Sequence, residues 1–214
     1  LQGVLGTWNS IHDTATNAAN PDELVGKWYE SDFYGGLSVT AGNWSGKAIY
    51  AFYTSPSDSF ETIQEVIFSA AYDDTEALGA WALNPALSLA VETGSNFGDG
   101  ADTQPGTYLE PSISPGFTVE NGFRGAFKGT TVSFPVTVGL SLSDYYEDGD
   151  GEDSTFGFAS VGARAAIPLN MPNGYGAWTL NLGVQGLFLG DQTKEYNGGK
   201  DAEFVATVGI SIAF

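Results

Sequence analysis

The chain has one histidine, His12, placed two residues after Ser10. A serine beside a histidine is the beginning of acyl-transfer chemistry, and a histidine among carboxylates is the beginning of aspartyl-histidine hydrolysis. No G-x-S-x-G elbow surrounds Ser10, so a histidine at the rim of the fold is the simpler expectation and no enzyme is expected. The run Asp148-Gly149-Asp150-Gly151-Glu152-Asp153 sets four carboxylates among glycines, which lets the backbone curl and offer several oxygens to a hard cation. Asp148, Asp150, Glu152 and Asp153 are therefore candidate calcium ligands. The loop departs from the EF-hand pattern, with Glu152 at its fifth position and Ala159 at its twelfth, so a solvated acidic loop is the competing expectation. Gly94 to Gly100 is glycine-rich but lacks the lysine and following helix of a phosphate cradle. Arg124 and Lys128 flank a predicted turn and suit an ion pair or a lipid contact. No cofactor is expected beyond calcium in an external loop.

With 26 acidic and 7 basic residues and a formal charge of −19, the chain's own field repels nucleic acid and favours cations or cationic partners. There is no cysteine, which excludes disulfides and thiolate metal sites. Runs of ~18 apolar residues are also missing, so no membrane-spanning helix is predicted. Leu1 falls inside or just before a predicted strand, as expected if a signal peptide has been removed. A chain of 214 residues reads as one domain, 1–214.

What positions these residues is a period of two. From Phe204 to Phe214 one row carries Phe204, Ala206, Val208, Ile210, Ile212 and Phe214, and the other carries small or polar residues. Similar rows recur from Thr131 to Ser143, from Gly79 to Thr93 and from Trp178 to Phe188. A barrel wall that shows one row to lipid and the other to a lumen has this pattern, and ~9–11 residues cross a bilayer. Weaker alternation covers Gly3–Asp13, Ser31–Ala41, Ser45–Thr54, Phe60–Tyr72, Thr107–Glu120 and Thr155–Ile167, where a slip between Phe158 and Ala159 suggests a bulge. The prediction is an all-β, antiparallel up-and-down transmembrane barrel of about ten strands (8–12).

Long loops are expected at Ala15–Glu30, Ser55–Ser59, Gly94–Gln104, Glu147–Ser154 and Asp191–Lys200. Short turns are expected on the other rim, at Gly42–Trp44, Asp73–Leu78, Asn121–Lys128 and Asn170–Gly176. Aromatic girdles are anticipated from Trp44, Tyr72, Trp81, Tyr175, Trp178 and Phe214 on the turn side. On the loop side they are anticipated from Trp8, Trp28, Tyr29, Tyr53, Tyr145 and Tyr146. A soluble sandwich would bury the same apolar rows against a second sheet and would need no girdles.

The final segment, Thr207-Val208-Gly209-Ile210-Ser211-Ile212-Ala213-Phe214, resembles the C-terminal signature of Gram-negative outer-membrane barrels. The stretches Gly6-Thr7-Trp8-Asn9-Ser10, Glu30-Ser31-Asp32-Phe33-Tyr34-Gly35-Gly36, Ala82-Leu83-Asn84-Pro85 and Tyr108-Leu109-Glu110-Pro111-Ser112 are similar to porin-like outer-membrane proteins of the TorF type. The resemblance implies a bacterial outer-membrane location, lipid contact and a transport role. It also implies that Phe214 is an assembly signal read by the barrel-assembly machinery. It carries no catalytic residues.

Alternation points Asp32, Lys47, Glu65, Glu92, Glu110, Arg164 and Glu203 into the lumen, with Lys47 and Arg164 expected to pair with some of the carboxylates. Barrels of eight to ten strands usually fill their own lumen. Two functions follow: a narrow cation-favouring channel, or a non-conducting barrel. The latter would serve as a structural, adhesin-like or surface-assembly element whose acidic external loops bind a partner or divalent cations, with a surface assembly or another copy of the chain as the expected partner.

Overall fold

The computed structural model describes residues 1–12, 28–94, 104–121, 127–147, 152–172 and 174–214. Several predicted connections fall wholly or partly outside these residues: Ala15–Glu30, Gly94–Gln104, Glu147–Ser154, Asn121–Lys128 and Asn170–Gly176. Asp148, Asp150 and Arg124 also lie outside them.

The chain forms one antiparallel sheet. Its strands are β1 (Gln2–Ile11), β2 (Trp28–Ala41), β3 (Trp44–Thr54), β4 (Ile63–Tyr72), β5 (Ala86–Thr93) and β6 (Thr107–Ile113). They continue with β7 (Gly116–Thr118), β8 (Thr131–Ser133), β9 (Val136–Ser143), β10 (Phe156–Leu169), β11 (Ala177–Leu189) and β12 (Ala202–Ala213). Two short helices are inserted, α1 (Thr75–Leu78) and α2 (Asp191–Tyr196). The spatial order β1-β2-β3-β4-β5-β6-β9-β10-β11-β12 is an up-and-down meander, and the sheet curls into a half-barrel. No helix among the described residues is long and apolar enough to cross a membrane.

The twelve strands reduce to ten passes of the sheet, because β6–β7 and β8–β9 are each one bent strand. Pro115 and Pro135 sit at the bends. Proline has no N–H for the ladder, and at these points its carbonyl accepts instead, from Phe134 N–H at 2.8 Å and from Gly162 N–H at 2.9 Å respectively. Strand β10 therefore pairs with β9 at one end and β8 at the other. The register shift in β10 falls between Phe156 and Phe158, slightly before the predicted slip.

One predicted strand is shortened. The row Trp81, Leu83, Pro85 does not belong to β5, which begins at Ala86. Instead α1 and a 3-10 turn, Gly79–Trp81, lengthen the connection after β4. Buried Asp74 explains the correction, since its carboxylate accepts from the N–H groups of Leu83 and of Asn84, at 3.0 and 2.8 Å. Asn84 itself adopts a left-handed φ of 48°, a conformation Asn tolerates and a strand forbids.

The distribution of side chains is inverted relative to a soluble core. The described buried apolar residues are only Ala51, Ala82 and Ala90, whereas Ser31, Asp32, Glu65, Glu92, Ser141 and Glu147 are buried on the polar side. On the opposite face Phe33, Phe68, Leu87, Val184, Phe204 and Val208 are exposed.

Candidate functional site

The inner row gathers carboxylates and phenols toward the end of the sheet where β2, β4, β6 and β10 begin. Glu65 and Glu92 stand directly opposite on β4 and β5, an arrangement of like charges that is unfavourable unless hydrogen bonds, protons or cations relieve it. Hydrogen bonds supply part of that relief. Tyr53 Oη donates to Glu65 Oε2 at 2.7 Å and Tyr145 Oη to Glu65 Oε1 at 3.0 Å. The Gly106 N–H donates to Glu92 Oε2 at 2.9 Å. One strand further, Tyr108 Oη donates to Glu110 Oε2 at 2.5 Å.

Tyr145 and Tyr146 follow β9, and their rings meet at 5.3 Å while Tyr108 stacks on Tyr145 at 4.9 Å. Burial, reinforced by Glu65, holds the Tyr145 phenol well above its ordinary value. Burial beside Glu110 pushes Tyr146 up to about 12. Both phenols thus stay protonated and able to donate.

Asp32 lies across from Tyr53 in the β2–β3 register. It is 9% exposed, and its Oδ1 is buried without a hydrogen-bond partner. Glu30 stands two residues away on the same row as a neighbouring acid. Between these groups and α2 lies a cavity of about 540 Å³. Glu30, Glu65, Glu92 and Glu147 contribute carboxylates to its wall, α2 contributes Gln192, Thr193 and Tyr196, and no lysine or arginine among the described residues lines it. Helix α2 is tied down by Thr193 Oγ1 donating to the Gly157 carbonyl at 2.5 Å and by Tyr196 Oη donating to the Glu147 carbonyl at 3.2 Å.

The predicted lumen cations are elsewhere. Lys47 pairs in register with Ser38 and Ser69 toward the opposite rim, and Arg164 lies opposite Ser133 and Gly183. The expected ion pairs with the buried carboxylates are not made: the ion pair among the described residues joins Lys200 to Glu203 at 2.8 Å. Tyrosine hydroxyls occupy the role assigned to Lys47 and Arg164, for the geometric reason that both cations sit beyond the cluster. Glu203 is consequently a half-exposed partner of Lys200 and Asn197.

The girdle expectation also divides. Trp8, Trp28, Trp44, Trp81, Tyr175 and Phe214 are exposed, whereas Tyr53 and Tyr145 point inward to Glu65 and are not girdle residues. Tyr29 and Tyr146 line the same cavity. Sequence reading missed this tyrosine set. The available signal was inner-row parity, which places Tyr53 on the row of Ala51 and Tyr108 on that of Glu110.

His12 Nε2 is 3.0 Å from Ser10 Oγ, and its ring stacks on Tyr29 at 5.1 Å. Residues two apart on a strand share a face, so this contact follows from strand geometry. In the acidic loop, Asp153 Oδ1 accepts from Ser141 Oγ at 2.6 Å and Glu152 is exposed. Among the described residues no group of three metal-ligating side chains converges.

No protein-family model matches this chain, and neither a curated protein nor a solved structure matches it.

Proposed function

We propose that this chain is an outer-membrane β-barrel protein, of the porin-like kind its sequence resembles, with a narrow lumen that favours cations. The observation that carries the reading is the inverted sheet: carboxylates and serines are buried on the inner row while large apolar side chains are exposed on the outer one. In water that outer face costs roughly 25 cal/mol per Å² of apolar surface, whereas a bilayer accommodates it. An even count of ten crossings and a meander order support closure through β1 and β12, the two edges of the sheet. Backbone groups at an open edge are unsatisfied in lipid, so closure is what a bilayer demands. Phe214 directly follows β12 and is exposed.

An inner row rich in carboxylates favours cations, as acidic rings do in other pores. Planar-bilayer recording of the refolded protein tests this. Cation-selective conductance is expected, reversed or abolished by Glu92→Lys with Glu110→Lys; a folded, inserted protein without conductance defeats the channel reading. The second reading, a non-conducting barrel, is favoured by α2 and its anchored Tyr196 crowding the outer end. In that case the acidic external loops, including Asp148 to Asp153, are the binding surface for a partner or calcium.

A further inference from the structure

We propose that the cavity beneath α2 binds an organic ammonium cation, an inference that rests on the concave face being a lumen reachable from outside. Its wall combines the carboxylates of Glu30, Glu65, Glu92 and Glu147 with aromatic rings, among them Tyr29, Phe60, Tyr146 and Tyr196. A volume of about 540 Å³ lies in the range of small-molecule sites. The charge of the wall selects a cation, and its construction selects which kind.

A small hard metal ion needs several converging free oxygens. Both oxygens of Glu65 already accept phenol hydrogens, Glu92 Oε2 accepts a backbone N–H, and no metal-ligating triad converges among the described residues. A larger cation with diffuse charge has no such requirement. It is attracted by carboxylates at longer range and by ring faces at contact. The phenols that donate to Glu65 are left with more electron-rich rings, which strengthens that attraction.

Asp32 adds to the charge from behind the wall. It lies directly across from Tyr53 and two residues from Glu30, both on the cavity wall, and its Oδ1 is buried with no partner. Adjacent buried acids with an unsatisfied oxygen are stabilised when a cation occupies the space beside them. Lys47 and Arg164 do not reach that space, because the register places them toward the other half of the sheet.

The test is titration of the full chain, refolded in detergent micelles, by calorimetry and tyrosine fluorescence. The probes are choline, sodium, and the uncharged carbon isostere of choline in which a tert-butyl group replaces the trimethylammonium. Choline is expected to bind saturably in a background of sodium, and the isostere about tenfold more weakly or less. Glu30→Gln with Glu65→Gln should weaken choline by about tenfold and leave the isostere unchanged. Should that variant fail to fold, Tyr196→Leu on α2 lies outside the sheet and should weaken choline several-fold. Equal binding of choline and isostere, no saturable choline binding to folded protein, or wild-type affinity in folded variants overturns the proposal. Bilayer recording separates this from the channel reading. Choline bound by a non-conducting protein removes the channel and keeps the site, whereas cation-selective conductance without choline binding removes the site and keeps the channel.

Discussion

Glu65 shows how a single residue is made tolerable. The side chain is 4% exposed, and a buried carboxylate is costly unless its lone pairs are occupied. Tyr53 and Tyr145 occupy them from opposite sides of the chain's length, the second across 80 residues of sequence. Tyr145→Phe removes one donor and should destabilise the folded protein by ~1–3 kcal/mol in urea unfolding, with Glu65→Gln in the same background recovering part of the loss. Tyr145 and Tyr146 also set an alkaline limit. Their folded values are raised above the ordinary phenol value of about 10, so the stability they contribute is fully present below that pH. It is lost as pH rises through the folded values, about 12 for Tyr146. Following tyrosinate absorbance alongside circular dichroism should show these two phenols ionising above the ordinary phenol range, together with loss of structure. Ionisation of all ten tyrosines in one early step contradicts it.

At the scale of elements, the connection between β4 and β5 and the docking of α2 carry most of the specificity. Asp74 replaces the missing ladder for Leu83 and Asn84, so Asp74→Ala leaves two backbone donors unsatisfied and should cost ~1–3 kcal/mol. Hydrogen exchange should report the loss in residues 82–86 before it appears in β9 or β10. Gly157 has a comparable role on the other rim. A Cβ there would run into the Tyr146 ring, so glycine is what allows that ring to reach the cavity and Thr193 to reach the Gly157 carbonyl. Of the elements, β12 was the most legible in sequence, because its outer row is uniformly large and apolar. The connection after β4 was not, because Trp81, Leu83 and Pro85 repeat at intervals of two as a strand would. Capping by Asp74 and the left-handed φ of Asn84 overrule that pattern.

For the whole molecule, the proposed membrane location depends on the outer face meeting lipid. Val208 is 79% exposed and belongs to the outer row of β12. Val208→Arg should cost ~2–4 kcal/mol if that position lies near the bilayer midplane, measured as lost folding yield into lipid vesicles and lost heat-modifiable mobility on gels. A soluble protein would tolerate the same change on an exposed face with little effect, so an unaffected Val208→Arg variant argues against membrane insertion.

Period-two alternation, the surplus of acid and the succession of strands and turns belong to the sequence alone, because side-chain facing along a strand is fixed by backbone geometry within a few residues. Those properties were enough to anticipate an all-β antiparallel meander and an inner row containing Asp32, Glu65, Glu92 and Glu110. Which of these meet, and what satisfies them, depended on register between strands far apart in the chain. The β4–β5 register sets Glu65 against Glu92, and the loop after β9 brings Tyr145 to Glu65. The registers of β3 and β10 place Lys47 and Arg164 too far along the sheet to help. Composition could count the charges, but only the folded pairing decided that phenols and a backbone N–H, not Lys47 or Arg164, meet the hydrogen-bonding needs of Glu65, Glu92 and Glu110.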